Sequence, residues 1–271
     1  MIGEVCMNIS KIWGVSFSPT KTSKKIVAAI ASGIPGVERD SLDLTYPDKI
    51  EIRTFTPEEL VVIGVPVYAG RVAPLAVQRL KAIKGSMTPA VLVVLYGNRE
   101  YEDALIELRD IAETASFLPV AASAFIGEHS FSSSQMPIAP GRPDSVDLAS
   151  AASFGRKVFK EIGQLQDFSS LSKLQVPGNI PYKESTGPLP ITPKVNQMAC
   201  TLCGMCIPTC PGGAITIDNE LIMDVERCIF CCACIKTCPE NAVSIEAPPL
   251  QEKRLWLHKN CAERKEPELY Y

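Results

Sequence analysis

Between Lys11 and Leu165, apolar runs of strand length alternate with stretches of helical period. KIWGVSF (11–17) is a short run rich in β-formers that ends at a Ser-Pro turn. KTSKKIVAAIAS (21–32) follows with helical spacing at Ile26, Val27 and Ile30. VERDSLDLT (37–45) reads as a second strand. LVVIGVPV (60–67) and AVLVVLYG (90–97) are continuous apolar runs, the pattern of strands covered on both faces. Between them LAVQRLKAIK (75–84) reads as a helix through Leu75, Leu80 and Ile83. YEDALIELRDIAETAS (101–116) is amphipathic, with Leu105, Leu108, Ile111 and Ala112 on one face. LPVAASAFIG (118–127) is a weaker fifth strand, and SVDLASAASFGRKVFKEI (145–162) a last helix.

Strands alternating with helices predict a doubly wound α/β fold with a five-stranded parallel sheet. Such folds bind ligands in loops at the carboxyl ends of their strands. Those loops are SPTKTS (18–23), VYAGR (67–71), GNRE (97–100) and the long, Ser- and Pro-rich GEHSFSSSQMP (127–137). The pattern then breaks. Residues 1–165 form the first domain, and residues 166–195 have no periodicity and read as an extended proline-rich linker. Residues 196–247 are a second, small domain, and residues 248–271 a charged tail in which Leu255, Trp256 and Leu257 suggest a short helix on a domain edge.

Composition changes this picture through cysteine. Nine of the 11 Cys lie within residues 200–238, and the first 199 residues contain only Cys6. A secreted disulfide scaffold would spread them through a small chain without a core. Residues 1–10 carry no basic segment or long apolar run, and no stretch of 18 apolar residues exists, so a cytoplasmic protein with no membrane span is expected. A net charge of −3 leaves no basic surplus for nucleic acid.

The cysteines form a repeat. CTLCGMCIPTCPGGAITI (200–217) and CIFCCACIKTCPENAVSI (228–245) align at an offset of 28 residues, each as C-x2-C-x2-C-x3-C-P. Three thiolates at two-residue gaps can wrap three corners of an iron–sulfur cube. Zinc knuckles also use C-x2-C, but close with two pairs rather than a triplet and a distant fourth. Over about 50 residues this segment resembles the bacterial two-cluster ferredoxins, at all eight ligand positions. The resemblance implies two [4Fe–4S] clusters, one held by Cys200, Cys203, Cys206 and Cys238, the other by Cys228, Cys231, Cys234 and Cys210. Cys232 reads as a small buried side chain; Cys6 and Cys261 are isolated.

Four hydroxyls, Ser18, Thr20, Thr22 and Ser23, stand where the first helix opens, with Lys21 among them. Free N–H groups and the dipole of a helix start suit a phosphate, although a Ser/Thr-rich cap looks similar. Tyr68 and Tyr96 end the third and fourth strands and are followed by Ala69, Gly70 and Gly97, where a flat ring could approach; a core plug and a turn would give the same pattern. Residues 11–165 look like a flavodoxin-like domain, and nearly the whole chain resembles the ferredoxin-fused flavodoxin family of anaerobic bacteria and archaea. That resemblance implies FMN, with Ser18, Thr20, Lys21, Thr22 and Ser23 on its phosphate. It places Val67, Tyr68, Ala69 and Gly70 on one side of the ring, and Tyr96, Gly97 and Asn98 on the other. The chain has Lys21 where flavodoxins commonly have Gly, and a positive φ there would cost stability.

No G-x-G-x-x-G follows a predicted strand, so no dinucleotide site is expected. The expected function is electron transfer between FMN and the clusters. Two alternatives stand beside it: a flavin-dependent reductase of a small acceptor, with His129 or Tyr101 supplying a proton, and a redox sensor that has lost FMN. His258 reads as solvated and Trp13 as core. Residues 196–247 carry six acids and two bases, against 18 and 17 in residues 1–165, which suits a redox partner protein with a basic surface.

Overall fold

A computed structural model describes residues 9–165, 172–184 and 190–271. Cys6 and parts of the proline-rich segment lie outside them. Five strands, β1 (Lys11–Ser16), β2 (Glu38–Asp43), β3 (Glu59–Tyr68), β4 (Thr88–Tyr96) and β5 (Phe117–Ile126), form a parallel sheet in the order β2-β1-β3-β4-β5. This is the flavodoxin-like order, with its switch point between β1 and β3. Helices α1 (Thr22–Ser32), α2 (Pro74–Leu80), α3 (Ala104–Thr114) and α4 (Ser145–Ile162) connect and cover it.

Alternation along the central strands divides the core. Leu60, Val62, Val91, Val93 and Phe125 face α1 and α4, where they meet Ile26, Ile30, Phe154 and Val158. Val61, Ile63, Leu92 and Val94 face the other way, onto Ala76, Leu80, Leu105 and Leu108. Two covered faces explain why β3 and β4 are apolar without interruption. Trp13 is buried, and its Nε1 donates to Glu59 Oε1 at 2.8 Å. Helix α4 starts on a capping box: Asp144 accepts from the N–H of Val146 and Asp147, and Asp147 accepts from Asp144 N–H.

The structure departs from the pattern-based reading in three places. The helix expected over 75–84 ends at Leu80; Ile83–Lys84 instead bridges Arg53–Thr54 in parallel and buries Ile83. The tail holds a longer helix than expected, α5 (Pro248–Asn260), followed by a strand, β6 (Glu268–Tyr270). That strand pairs antiparallel with β5, adding a further strand to the sheet. His258 is not simply solvated, since its Nδ1 lies 2.8 Å from the carbonyl of Pro137.

The described part of the linker segment lies against α3. Asp103 accepts from the backbone N–H of Asn179 and Lys183, Arg109 donates to Leu174 O, and the Tyr182 hydroxyl donates to Asp110. Among the described residues no helix is long and apolar enough to cross a membrane.

Candidate functional site

The cysteine repeat is visible as duplicated geometry. Asn196 and Asp224, 28 residues apart, each accept two following N–H groups through the side-chain Oδ1, and each backbone carbonyl accepts the N–H of the first cysteine, Cys200 or Cys228. Left-handed backbone recurs at the same offset, at Leu202 and Phe230, Gly204 and Cys232, Gly213 and Asn241. Cys210 Sγ accepts Ala214 N–H at 3.2 Å, and Cys238 Sγ accepts Ala242 N–H at 3.3 Å.

The fourth cysteine of each copy crosses over. Cys200, Cys203, Cys206 and Cys238 line one cavity with Gly204, Met205 and Leu221. Burial raises the Cys206 thiol above its ordinary range, helped by Cys200, Cys203 and Cys238. The second set is deeper. Burial pushes Cys231 up to about 12, with Cys210 and Cys228 as charged neighbours. Cys234 is raised too, by burial and then by Cys231, Cys228 and Cys210. Cys232 is 1% exposed, within a small apolar cluster containing Ile245 and Leu250. Among the described residues no three His, Cys, Asp or Glu side chains converge closely enough to hold a single metal ion.

Residues 193–216 and 221–244 each match the family described as 4Fe-4S binding domain. The C-terminal region is ferredoxin-type. Comparison with curated proteins found no match. Over 56% of its length the chain is similar to an archaeal flavodoxin (15% identity, 98% of that chain, TM-score 0.34). It is similar over the same share to oxidised Flavodoxin 1 from Bacillus cereus (12% identity, 98% of that chain, TM-score 0.39). A third similar structure is the rubredoxin oxygen:oxidoreductase from the anaerobe Desulfovibrio gigas (12% identity, TM-score 0.38). There the similarity spans 56% of this chain and 35% of that one.

The carboxyl ends of β1, β3 and β4 bring the three flavin-loop candidates to one sheet edge. In the first loop, Ser18 Oγ is used locally, accepting Lys24 N–H at 3.1 Å, while Ser18 N–H donates to Thr45 Oγ1. The Thr20 and Thr22 hydroxyls face each other at 3.5 Å. Lys21 has φ 66°, the left-handed conformation that a side chain disfavours. Ser23 Oγ is fully buried without a hydrogen-bond partner, in the turn that opens α1. An orphaned hydroxyl at a helix start fits a phosphate oxygen.

The second loop is a tight hairpin. Ala69 and Gly70 both have positive φ, and Val67–Tyr68 pair with Arg71–Val72. Glu107 anchors it, accepting from Arg71 Nε and Nη2 and from Val72 N–H. Burial holds the Tyr68 hydroxyl well above its ordinary range, and Cys231, Cys232 and Cys228 stand close enough to add to the effect. Tyr46, just after β2, is raised by burial with Asp43, Cys231 and Cys210 as neighbours. The second thiol set thus sits at the sheet edge that carries these loops. Tyr46 was not singled out by the sequence, although its place beyond a parallel strand's carboxyl end was a usable signal.

The third loop is held by the tail. Asn98 Nδ2 donates to the carbonyls of Cys261 and Glu263, both at 2.8 Å. Its Oδ1 is buried without a partner. Tyr96 packs on Tyr101, and Tyr101's hydroxyl is shared with Glu268 and Tyr270. The tail thereby occupies the group proposed as a proton donor, and burial with these two bonds raises Tyr101's pKa strongly. His129 covers Gly97: a Cβ there would meet the imidazole at 2.3 Å. His129 Nδ1 accepts Phe131 N–H, which places the ring proton on Nε2. Burial, with Lys253, Lys236 and Arg99 nearby, lowers its pKa to about 4.

The ferredoxin-type region docks through the same edge. Phe131 meets Phe230 edge-to-face at 5.8 Å, Ile229 packs on the sheet domain's core, and Lys236 pairs with Glu128 at 2.7 Å.

Proposed function

We propose that the chain is an electron-transfer protein that couples FMN to two [4Fe–4S] clusters. Cys200, Cys203, Cys206 and Cys238 would hold one cluster, and Cys228, Cys231, Cys234 and Cys210 the other. The observation that carries the coupling is the nearness of the second thiol set to Tyr68 and Tyr46, at the end of the sheet from which α1 starts. FMN supplies one- or two-electron chemistry where the clusters supply single electrons. The chain's own residues do the positioning. Thr22 and Ser23, through their hydroxyls and backbone N–H groups, would hold the phosphate, with the Lys21 ammonium beside them. The Glu107-anchored hairpin fixes Tyr68, and the tail fixes Asn98. The N–H···S bonds to Cys210 and Cys238 stabilise thiolate charge, a recognised way of tuning cluster potential.

Anaerobic reconstitution followed by metal and flavin analysis tests this reading. About eight iron atoms and one FMN per chain are expected. A chain that takes up iron but no FMN would lose the flavin half of the reading; one that binds no iron would lose all of it. A specific observation favours one alternative, a sensor without flavin: His129 covers Gly97 and the tail uses Asn98, on the side where the ring would lie. The FMN titration decides between them.

A further inference from the structure

The two copies of the cysteine repeat have related surfaces with different fates. In the second copy, Ile229 packs on the sheet domain's core, Phe230 meets Phe131, and Ala233 is buried, at 3% exposure. Their equivalents 28 residues earlier are Thr201, Leu202 and Met205. These face outward, with Leu202 39% and Met205 49% exposed. Ile207 and Ile217, both partly exposed, extend the apolar area round Gly204, each within 3.9 Å of a Cβ placed there. The molecule therefore already uses one copy of this face to dock a protein domain, and leaves the other copy uncovered.

Charge says what covers it. Asp218 and Glu220 close the hairpin that carries Ile217, and Glu240 lines the cavity beside Met205. Among the described residues none of the three is in an ion pair. The region's two bases are turned elsewhere, Lys236 to Glu128 and Arg227 against Gly213. An apolar centre with an uncompensated acidic rim is complementary to an apolar contact ringed by Lys and Arg. We infer that the Leu202–Met205 face is the docking surface for a soluble one-electron carrier protein with a basic rim, and that it serves the first thiol set. The inference rests on the cluster reading above. It adds that exchange with other proteins occurs at Cys200, Cys203, Cys206 and Cys238, because the second set is covered from within.

Cytochrome c, a lysine-ringed redox protein, is a suitable probe. Calorimetric titration into the iron-loaded full chain at low ionic strength should give measurable binding. Affinity should fall at least about tenfold in physiological salt, where the Debye length is about 8 Å. Zero-length carbodiimide coupling should join cytochrome lysines to Asp218, Glu220 or Glu240. The variants E220K and E240K should each weaken binding about fivefold or more, and M205Q should weaken it without changing its salt dependence. E161K, on the outer face of α4, should leave binding unchanged. Iron content, read on the same samples, separates the two readings: a chain without iron sinks the cluster assignment and this inference with it. Iron-loaded protein that cross-links evenly over its acids, that responds equally to E161K, or that buries Met205 in a dimer of itself by sedimentation overturns the docking surface alone.

Discussion

The sheet domain and the ferredoxin-type region are built on opposite principles. The sheet domain buries two apolar layers, one on each face of β3 and β4, with Phe17, Phe55, Phe125 and Phe154 fully enclosed. The smaller region's main cluster has five buried residues, and two of them, Cys206 and Cys234, are proposed metal ligands. The first is held by the hydrophobic effect over a large area. The second has too little apolar area for that, and the crossed fourth cysteines would let the proposed clusters join its two halves. Order in one region should thus be insensitive to metal, and in the other dependent on it.

The largest test of that contrast is iron removal. Chelation under reducing conditions should abolish amide protection across residues 196–247 and leave protection in β1, β3 and β4, read by hydrogen exchange. Retained protection in the small region would break the contrast. Next in size is Ile63→Ala, which opens a cavity between β3 and its covering helices. It should cost roughly 2–5 kcal/mol in urea unfolding of the sheet domain. The cost should be the same with and without iron; a cost that vanishes on chelation would show that the regions unfold as one.

A smaller effect concerns their contact. His129 has a folded pKa of about 4 against an ordinary 6.5. Between those values the unfolded chain binds a proton that the folded chain does not, so its contribution is complete above about 6.5 and is lost as pH falls toward 4. His129→Gln should remove close to one proton from the pH slope of stability in that window. An unchanged slope would mean that the imidazole is open to solvent. The smallest effect is Lys21→Gly, which relieves a left-handed backbone and should raise stability by about 1 kcal/mol. A fall in the thermal midpoint would show that the α1 entry is not strained.

What could be read in advance followed from local rules. Helix α4 was legible to its ends, because Asp144 and Asp147 form a capping box and its apolar spacing is unbroken. The cysteine repeat was legible because one spacing recurs at a fixed 28-residue offset, and the family match falls on both copies. Three features came from distant pairing and had no local signature. Ile83–Lys84 leaves the helix for a partner some thirty residues back. The segment Glu268–Tyr270 is a strand only because β5 offers it an edge. Tyr68 was picked out for its place at the end of β3, but its neighbours Cys231 and Cys228 are set by the packing of Phe230, Ile229 and Lys236, which no periodicity encodes.

The strand Glu268–Tyr270 also changes what kind of object the small region is. Since the polypeptide leaves the sheet domain and later rejoins its edge, the cysteine module is an insertion with two junctions rather than an appendage on one string. Replacing it with another redox cassette would mean matching both seams, the one along α3 and the one at β5.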